Sequence, residues 1–280
     1  MMPKRRFSDE EIIEIYEKYY LNGLSTIKIA EIYGVSSSLI NKWFARLGLK
    51  MRSNKINSKI YQANDYYFDE INTPEKAYWL GFMYADGYIL SDSNKIGITL
   101  AIKDKEHLES FNKCLNSNYP IKEYCRDTSY KENTEYCRVI ISSDKLHEDL
   151  IKHGVLKNKT NILEPPKIDY NLIRYFILGY FDGDGSIWLC KSRCPFYNIS
   201  FCATDSMCEF INEYLLENNL INKKCKPRKR KEGQIVSCIE FGGNIQVTRI
   251  MEHLYGEIDK SIVLKRKYDL YINCKNRIFI

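Results

Sequence analysis

A duplication constrains what this chain can fold into more than any other feature. The stretch Tyr78-Trp-Leu-Gly-Phe-Met-Tyr-Ala-Asp-Gly87 returns as Tyr175-Phe-Ile-Leu-Gly-Tyr-Phe-Asp-Gly-Asp-Gly185. Aligned on their ends, Gly81 matches Gly179, Asp86 matches Asp184 and Gly87 matches Gly185, 98 residues later. Each copy is an apolar run with a glycine inside it. Such a run suits a helix packed closely on a second helix, because glycine lets two backbones approach. The closing Asp-Gly ends the helix. Two such helices side by side bring Asp86 and Asp184 together at their C-terminal ends, where the helix dipole disfavours negative charge. A divalent cation joining the carboxylates offsets that cost.

The pattern resembles the LAGLIDADG homing endonucleases. Against the name motif, Ile177 to Gly185 matches at Gly179, Asp182, Asp184 and Gly185, and Trp79 to Gly87 at Gly81, Ala85, Asp86 and Gly87. Tyr84 stands where the second copy has Asp182, so that acidic position is not shared. The resemblance covers roughly residues 75 to 272. It implies an α+β fold, a pseudo-twofold tandem of αββαββα halves, each laying a curved sheet on duplex DNA. It also implies catalytic roles for Asp86 and Asp184 as ligands of Mg²⁺, with Gly87 and Gly185 as further metal ligands and Mn²⁺ as a possible substitute. Gly154-Val-Leu-Lys-Asn-Lys-Thr160, running into Leu163-Glu-Pro-Pro166, resembles a family signature whose lysine reaches the cleavage centre. That assigns Lys159 to the centre, with Lys267 in Leu264-Lys-Arg-Lys-Tyr268 as its pseudo-symmetric partner.

Ahead of the repeat, Ser8-Asp-Glu-Glu11 is a capping box that opens a helix through Tyr20. Shorter helices follow over about 25–33 and 37–47, joined by Gly34-Val35-Ser36. Ile29, Tyr33, Val35, Ile40 and Trp43 fall where a helix-turn-helix buries its core. The third helix would then present Ser37, Ser38, Asn41 and Lys42 to the major groove. Residues 1 to 60 carry 11 basic and 6 acidic side chains, which favours DNA over a protein partner. Residues 51–72 are expected to be a basic linker between a 1–50 domain and half-domains at 73–168 and 169–280. Lys50, Arg52, Lys55 and Lys59 are spaced to follow phosphates.

Within the halves, residues 95–103 alternate as a half-buried strand with Lys95, Thr99 and Lys103 outward. Residues 120–126 and 134–142 form a hairpin. In the second half, strands are expected near 186–190, 196–204, 223–230 and 234–241, and a last helix over about 260–273. Asn198, Ser200 and Thr204 are the matching outward residues. Lys223, Lys224, Lys226, Arg228, Lys229, Arg230 and Lys231 put seven basic residues in nine positions, expected to meet phosphates.

Composition limits the alternatives. Hydrophobic content of 44% supports a real core, and the net charge of +6 is mild, so clustering matters more than the total. No apolar run approaches the ~18 residues of a membrane span. The ten cysteines include no C-x-x-C, and no signal peptide is evident. They are therefore expected to be reduced thiols of a cytoplasmic or nucleoid-associated protein. A zinc site from Cys190, Cys194, Cys202 and Cys208 matches no finger spacing. The expectation is a monomeric, Mg²⁺-dependent endonuclease making a staggered cut in double-stranded DNA. An RNA maturase acting on an intron and a transcription regulator on a decayed nuclease core are the alternatives.

Overall fold

The repeat in the sequence is a repeat in topology. A computed structural model describes residues 7–21, 24–51, 60–90, 93–127, 133–156, 162–229 and 236–277. The chain divides into two compact units, residues 1–61 and 62–280.

In the first unit, helix α1 (Asp9–Ile15) starts at Ser8, whose hydroxyl accepts from the Glu11 nitrogen while Glu11 caps Ser8 in return. It continues as a π-turn over Tyr16–Tyr20. Helices α2 (Thr26–Tyr33) and α3 (Ser37–Arg46) follow, with Gly34 at φ 60° closing α2 in the left-handed conformation that glycine adopts at no steric cost. The core is Ile12, Ile15, Tyr16, Tyr20, Ile29, Ala30, Ile40 and Phe44. Ile29 and Ile40 are where the pattern puts them. Trp43 packs at the margin, and Phe44, one position on, is the residue fully inside.

In the second unit, helix α4 (Pro74–Ala85) is capped by the Thr73 hydroxyl with proline in its first turn. Strands β1 (Gly87–Leu90) and β2 (Lys95–Ala101), helix α5 (Lys105–Cys114), strands β3 (Lys122–Arg126) and β4 (Thr134–Ser142) and helix α6 (Asp144–Lys152) complete the first half. The second half runs α7 (Tyr170–Asp184), β5 (Gly185–Cys190), β6 (Phe196–Ala203), α8 (Asp205–Glu217), β7 (Arg228–Lys229), β8 (Ser237–Gly242), α9 (Asn244–Tyr255) and α10 (Lys265–Asn276). Both sheets are antiparallel with the same order, β1-β2-β4-β3 and β5-β6-β8-β7. One face of each sheet packs on helices. On β6, Tyr197, Ile199, Phe201 and Ala203 are buried toward that side. Among the described residues no helix is long and apolar enough to cross a membrane.

Four boundaries differ from expectation. Residues 62–72 belong to the core: Tyr67 and Phe68 are buried, and the Asn64 nitrogen donates to the Leu115 carbonyl. The strand expected over 95–103 stops at Ala101, so Lys103 lies in a short 3₁₀ turn. Of the strand expected over 223–230, Arg228–Lys229 is what forms among the described residues, since Pro227 supplies no amide to a ladder. The last helix begins at Lys265, because the Leu264 nitrogen is committed elsewhere.

Candidate active site

Helices α4 and α7 pack side by side, and glycine is what lets them. A Cβ on Gly81 would stand 2.9 Å from the Phe176 carbonyl carbon and 2.9 Å from the Tyr180 nitrogen. A Cβ on Gly179 would meet the Tyr78 carbonyl carbon at 2.8 Å and the Phe82 nitrogen at 2.9 Å. Each glycine thus lies on the other helix's backbone, in a near-symmetric exchange. At the C-terminal ends, Gly183 rests against Ala85, 3.4 Å from the Asp86 nitrogen on the same measure. The two helix ends therefore converge. Asp86 caps α4 and is half-buried; Asp184, the last residue of α7, is exposed.

The two halves build different supports beneath these ends. Asp182 is fully buried and accepts from Tyr78 Oη at 2.6 Å, Tyr255 Oη at 3.0 Å and the Leu264 nitrogen at 2.9 Å. Burial pushes its carboxyl above the usual range, against the pull of Lys267 and these donors. Tyr84, the equivalent residue of α4, instead donates to the His153 carbonyl at 2.5 Å. Lys267 is only 3% exposed. Its Nζ donates to the carbonyls of Phe181 (2.6 Å), Asp182 (2.8 Å), Gly183 (3.1 Å) and Gly185 (2.6 Å). Burial lowers its pKa to about 8, while Asp182, Asp86 and Asp184 pull the other way. A cation at the C-terminal end of α7 complements the helix dipole and binds carbonyls of its last turn, that of Phe181 being shared with the Gly185 nitrogen. Lys267 is therefore a buried clamp on the motif end, and Gly185, expected as a ligand, gives its carbonyl to that clamp. Next to it, Arg266 Nε donates to both oxygens of Asp104, at 3.0 and 2.9 Å, joining the two halves. Lys159 lies outside the described residues. In sequence, Val155-Leu-Lys-Asn-Lys159 parallels Val263-Leu-Lys-Arg-Lys267.

His107 completes the buried network, with Nε2 3.3 Å from Tyr78 Oη. Tyr78 gives its single proton to Asp182, so at this bond a His107 Nε2–H is the donor. Burial, with Lys267 and Arg266 nearby, lowers the His107 pKa to about 3. The unfolded chain therefore takes this proton first as pH falls below about 6.5. The stability His107 contributes is present above that pH and lost progressively toward about 3. Wild-type unfolding free energy should fall by up to about 1.4 kcal/mol per pH unit through this window. Urea denaturation at about pH 7 and about pH 5 should show a smaller difference for His107→Gln; equal differences exclude this residue as the source.

The sequence-predicted surface residues divide. Lys95 and Thr99 are half-buried on the β2 face away from the helices, as is Asn198 on β6. Ser38, Asn41 and Lys42 are exposed on α3, and Ser37 is half-buried. Lys223, Lys226, Arg228 and Lys229 are exposed; Arg230 and Lys231 lie outside the described residues, as do Arg52, Lys55 and Lys59. Four expectations need correction. Ser200 is on the expected face but fully buried. Thr204 is buried, caps α8 and donates to the Leu163 carbonyl at 2.6 Å. Lys103 lines a cleft of about 500 Å³ with Asp104, Lys260 and Arg266 rather than the sheet. Lys224 is ion-paired to Glu209 and Glu213 of α8. The cysteines also differ: Cys202 and Cys238 form a disulfide, so they are not thiols. Cys202 therefore belongs to no zinc site, and no group of three or more metal-type ligands forms among the described residues.

Sequence reasoning missed the strongest cationic feature of the first sheet. Tyr124 and Tyr136 are cross-strand partners, stacked with centroids 5.2 Å apart. The Arg126 guanidinium lies 4.9 Å over Tyr136, and that of Arg138 4.7 Å over Tyr124, with an Arg138 Nη2 to Tyr124 Oη bond of 3.1 Å. The signal was present: Glu123-Tyr-Cys-Arg126 recurs as Glu135-Tyr-Cys-Arg138.

At least one solved protein shares this architecture. The family model described as the LAGLIDADG-like domain matches residues 73–153. The LAGLIDADG homing endonuclease I-GzeII, solved in complex with its DNA target, superposes with a TM-score of 0.52 at 12% identity, over 73% of this chain and 89% of that one. The homing endonuclease I-WcaI, solved on its DNA recognition sequence, gives a TM-score of 0.48 at 16% identity, over 81% and 96%. No curated protein sequence matches the chain.

Proposed function

We propose that this chain, which carries a LAGLIDADG-like domain at residues 73–153 and has the LAGLIDADG endonuclease fold, is a monomeric site-specific DNA endonuclease. The observation that carries the reading is the pair of converging motif ends, with Asp86 and Asp184 on helices locked together by Gly81 and Gly179. Two carboxylates, with no third metal-type side chain grouped beside them among the described residues, suit a hard divalent cation that completes its shell with phosphate oxygens and water. That is the habit of Mg²⁺ rather than zinc. Asp86 and Asp184 would hold it, with Gly87 next in sequence. When bound, such an ion activates water and stabilises the leaving oxygen in phosphodiester hydrolysis, so no side-chain nucleophile is needed.

The remaining residues position and read. Lys267 fixes the end of α7, so the Asp184 carboxylate is presented without reorganisation. Lys159, its sequence counterpart, is the residue assigned to approach the scissile phosphate. On the first sheet, Arg126 and Arg138 are preorganised by tyrosine stacking, and guanidinium groups held this way suit guanine edges. Lys95, Thr99 and Asn198 share the reading faces, while Lys223, Lys226, Arg228 and Lys229 meet phosphates. In residues 1–61, Ser38, Asn41 and Lys42 line the exposed side of a helix that follows a glycine turn, as in a DNA-reading helix.

The test is cleavage of a randomised duplex library by the full chain and by residues 62–280, with Mg²⁺ or EDTA. Both proteins should recover one long, shared site with staggered ends, only with Mg²⁺. The shorter protein should give a footprint shortened on one side and a salt slope lower by roughly 2 to 5 units, about 0.9 for each phosphate it no longer neutralises. Binding without any Mg²⁺-dependent product overturns the nuclease reading.

A further inference from the structure

The disulfide between Cys202 and Cys238 lies where nothing in a nuclease mechanism requires one. The two residues are direct cross-strand partners on β6 and β8, with Cα atoms 4.3 Å apart. They share the sheet face of Asn198 and Ser200, away from the helices. The pair also reaches the candidate active site. Cys202 lines a hollow of about 110 Å³ together with Tyr84, Ala85, Tyr180 and Asp184. The Cys202 carbonyl accepts from Tyr180 Oη at 2.9 Å, and Tyr180 is one helical turn before Asp184. On the outer side of β8, among the described residues, β7 pairs with it over Arg228 and Lys229, and the Glu240 nitrogen donates to Cys225 Sγ at 3.4 Å. Arg228 stands opposite Cys238, placing a cation beside a sulfur that passes through an anionic form during exchange.

We infer that Cys202 and Cys238 form a reversible redox site that takes two-electron oxidants of the peroxide class and, when oxidised, locks β8 to β6 beside Asp184. Cys202, half-buried, is the more exposed residue of the pair and reacts first; Cys238 is 6% exposed and resolves. The Cys202 sulfur attacks one peroxide oxygen and the O–O bond breaks, leaving a sulfenic acid and one water. The Cys238 sulfur then displaces the hydroxyl, which leaves as a second water, and the S–S bond forms. The two sulfurs lose two electrons and peroxide gains them. A thiol reductant reverses the step by exchange. A cross-link bridging 36 residues restricts the opened states of the strand, and so slows its local unfolding.

The test uses the full chain, reduced with a phosphine or oxidised with hydrogen peroxide. Alkylation and peptide mapping should show Cys202 and Cys238 protected together, while exposed Cys125 and Cys194 still alkylate after mild reduction of sulfenic acids. Hydrogen exchange over 237–242 should be roughly tenfold slower in the oxidised chain, and Cys202→Ser and Cys238→Ala should exchange at the reduced rate under both conditions. Independent alkylation of the two cysteines, or equal exchange in both states, overturns the inference. A final arm rests on the endonuclease reading: oxidised protein should bind duplex DNA about threefold to tenfold more tightly than reduced protein, because the strand is ordered beforehand. Redox-dependent exchange with no DNA binding in either state would sink the endonuclease reading and leave the redox site standing. DNA binding that ignores the redox state would remove the link to DNA.

Discussion

Asp184→Asn is expected to lower cleavage at least about 10² to 10³-fold while leaving duplex binding and folding near wild type. Asparagine keeps the shape and removes the charge that a divalent cation needs. Folding should be spared because Asp184 is exposed at a helix end. Two electrostatic effects there oppose each other. A carboxylate at the C-terminal end of α7 is disfavoured by the dipole by roughly 0.3–1 kcal/mol. The same carboxylate favours the charged form of Lys267. The net change in stability should lie within about 0.5 kcal/mol. Asp86→Asn should behave alike, since it caps the other helix end. Single-turnover cleavage and gel-shift binding, measured side by side, decide the matter. An Asp184→Asn protein that cuts both strands at near the wild-type rate would show that this carboxylate holds no catalytic metal.

The second large effect needs only one carbon. Gly179→Ala should cost about 3 kcal/mol or more, above the usual range for an overpacked site. The new Cβ would meet backbone of α4 on both sides, at 2.8 and 2.9 Å, so no side chain can swing away. The helices must separate, and Asp86 and Asp184 with them, so the surviving fraction should also be a poor nuclease. Gly179→Leu should be worse, leaving little folded protein. A useful contrast is Gly256→Ala, whose Cβ would meet only the Glu252 carbonyl oxygen at 3.2 Å and the His253 carbonyl oxygen at 3.6 Å; its cost should stay under about 1 kcal/mol. Urea midpoints rank the variants. Fully active, wild-type-stable Gly179→Ala protein would falsify the backbone-contact interface.

Much of this was legible in the sequence because local chemistry and tertiary role agree. Ser8 caps the first helix where the pattern starts it, and the motif glycines are at the interface that their small size suggested. What escaped depends on depth and on distance along the chain. Alternation assigned Ser200 to the correct face, but alternation says nothing of how much neighbouring strands cover it. Lys267 stands in a run of three basic residues and looks like surface. Its helical spacing to Tyr271 and Cys274, both buried, is the clue that its stem points inward. The Cys202–Cys238 pairing is set by the register of β6 on β8, which spacing alone does not encode. Residues 62–72 look like a tether by polarity, yet Phe68 is completely inside.

The buried polar groups under the motif helices tie the folding of one half to that of the other. Tyr84 finds its acceptor, the His153 carbonyl, inside its own half. Asp182 takes one of its three donors, Tyr78, from the other half, and that tyrosine is in turn held by His107. The dependence runs the other way as well: Tyr78 is fully buried in the first half and gives its proton to Asp182, and buried Asp104 of that half takes its guanidinium partner, Arg266, from the second. Neither half can therefore satisfy all its buried polar groups before the other has docked. The halves are expected to close on each other as one cooperative unit, not one after the other in the order of translation.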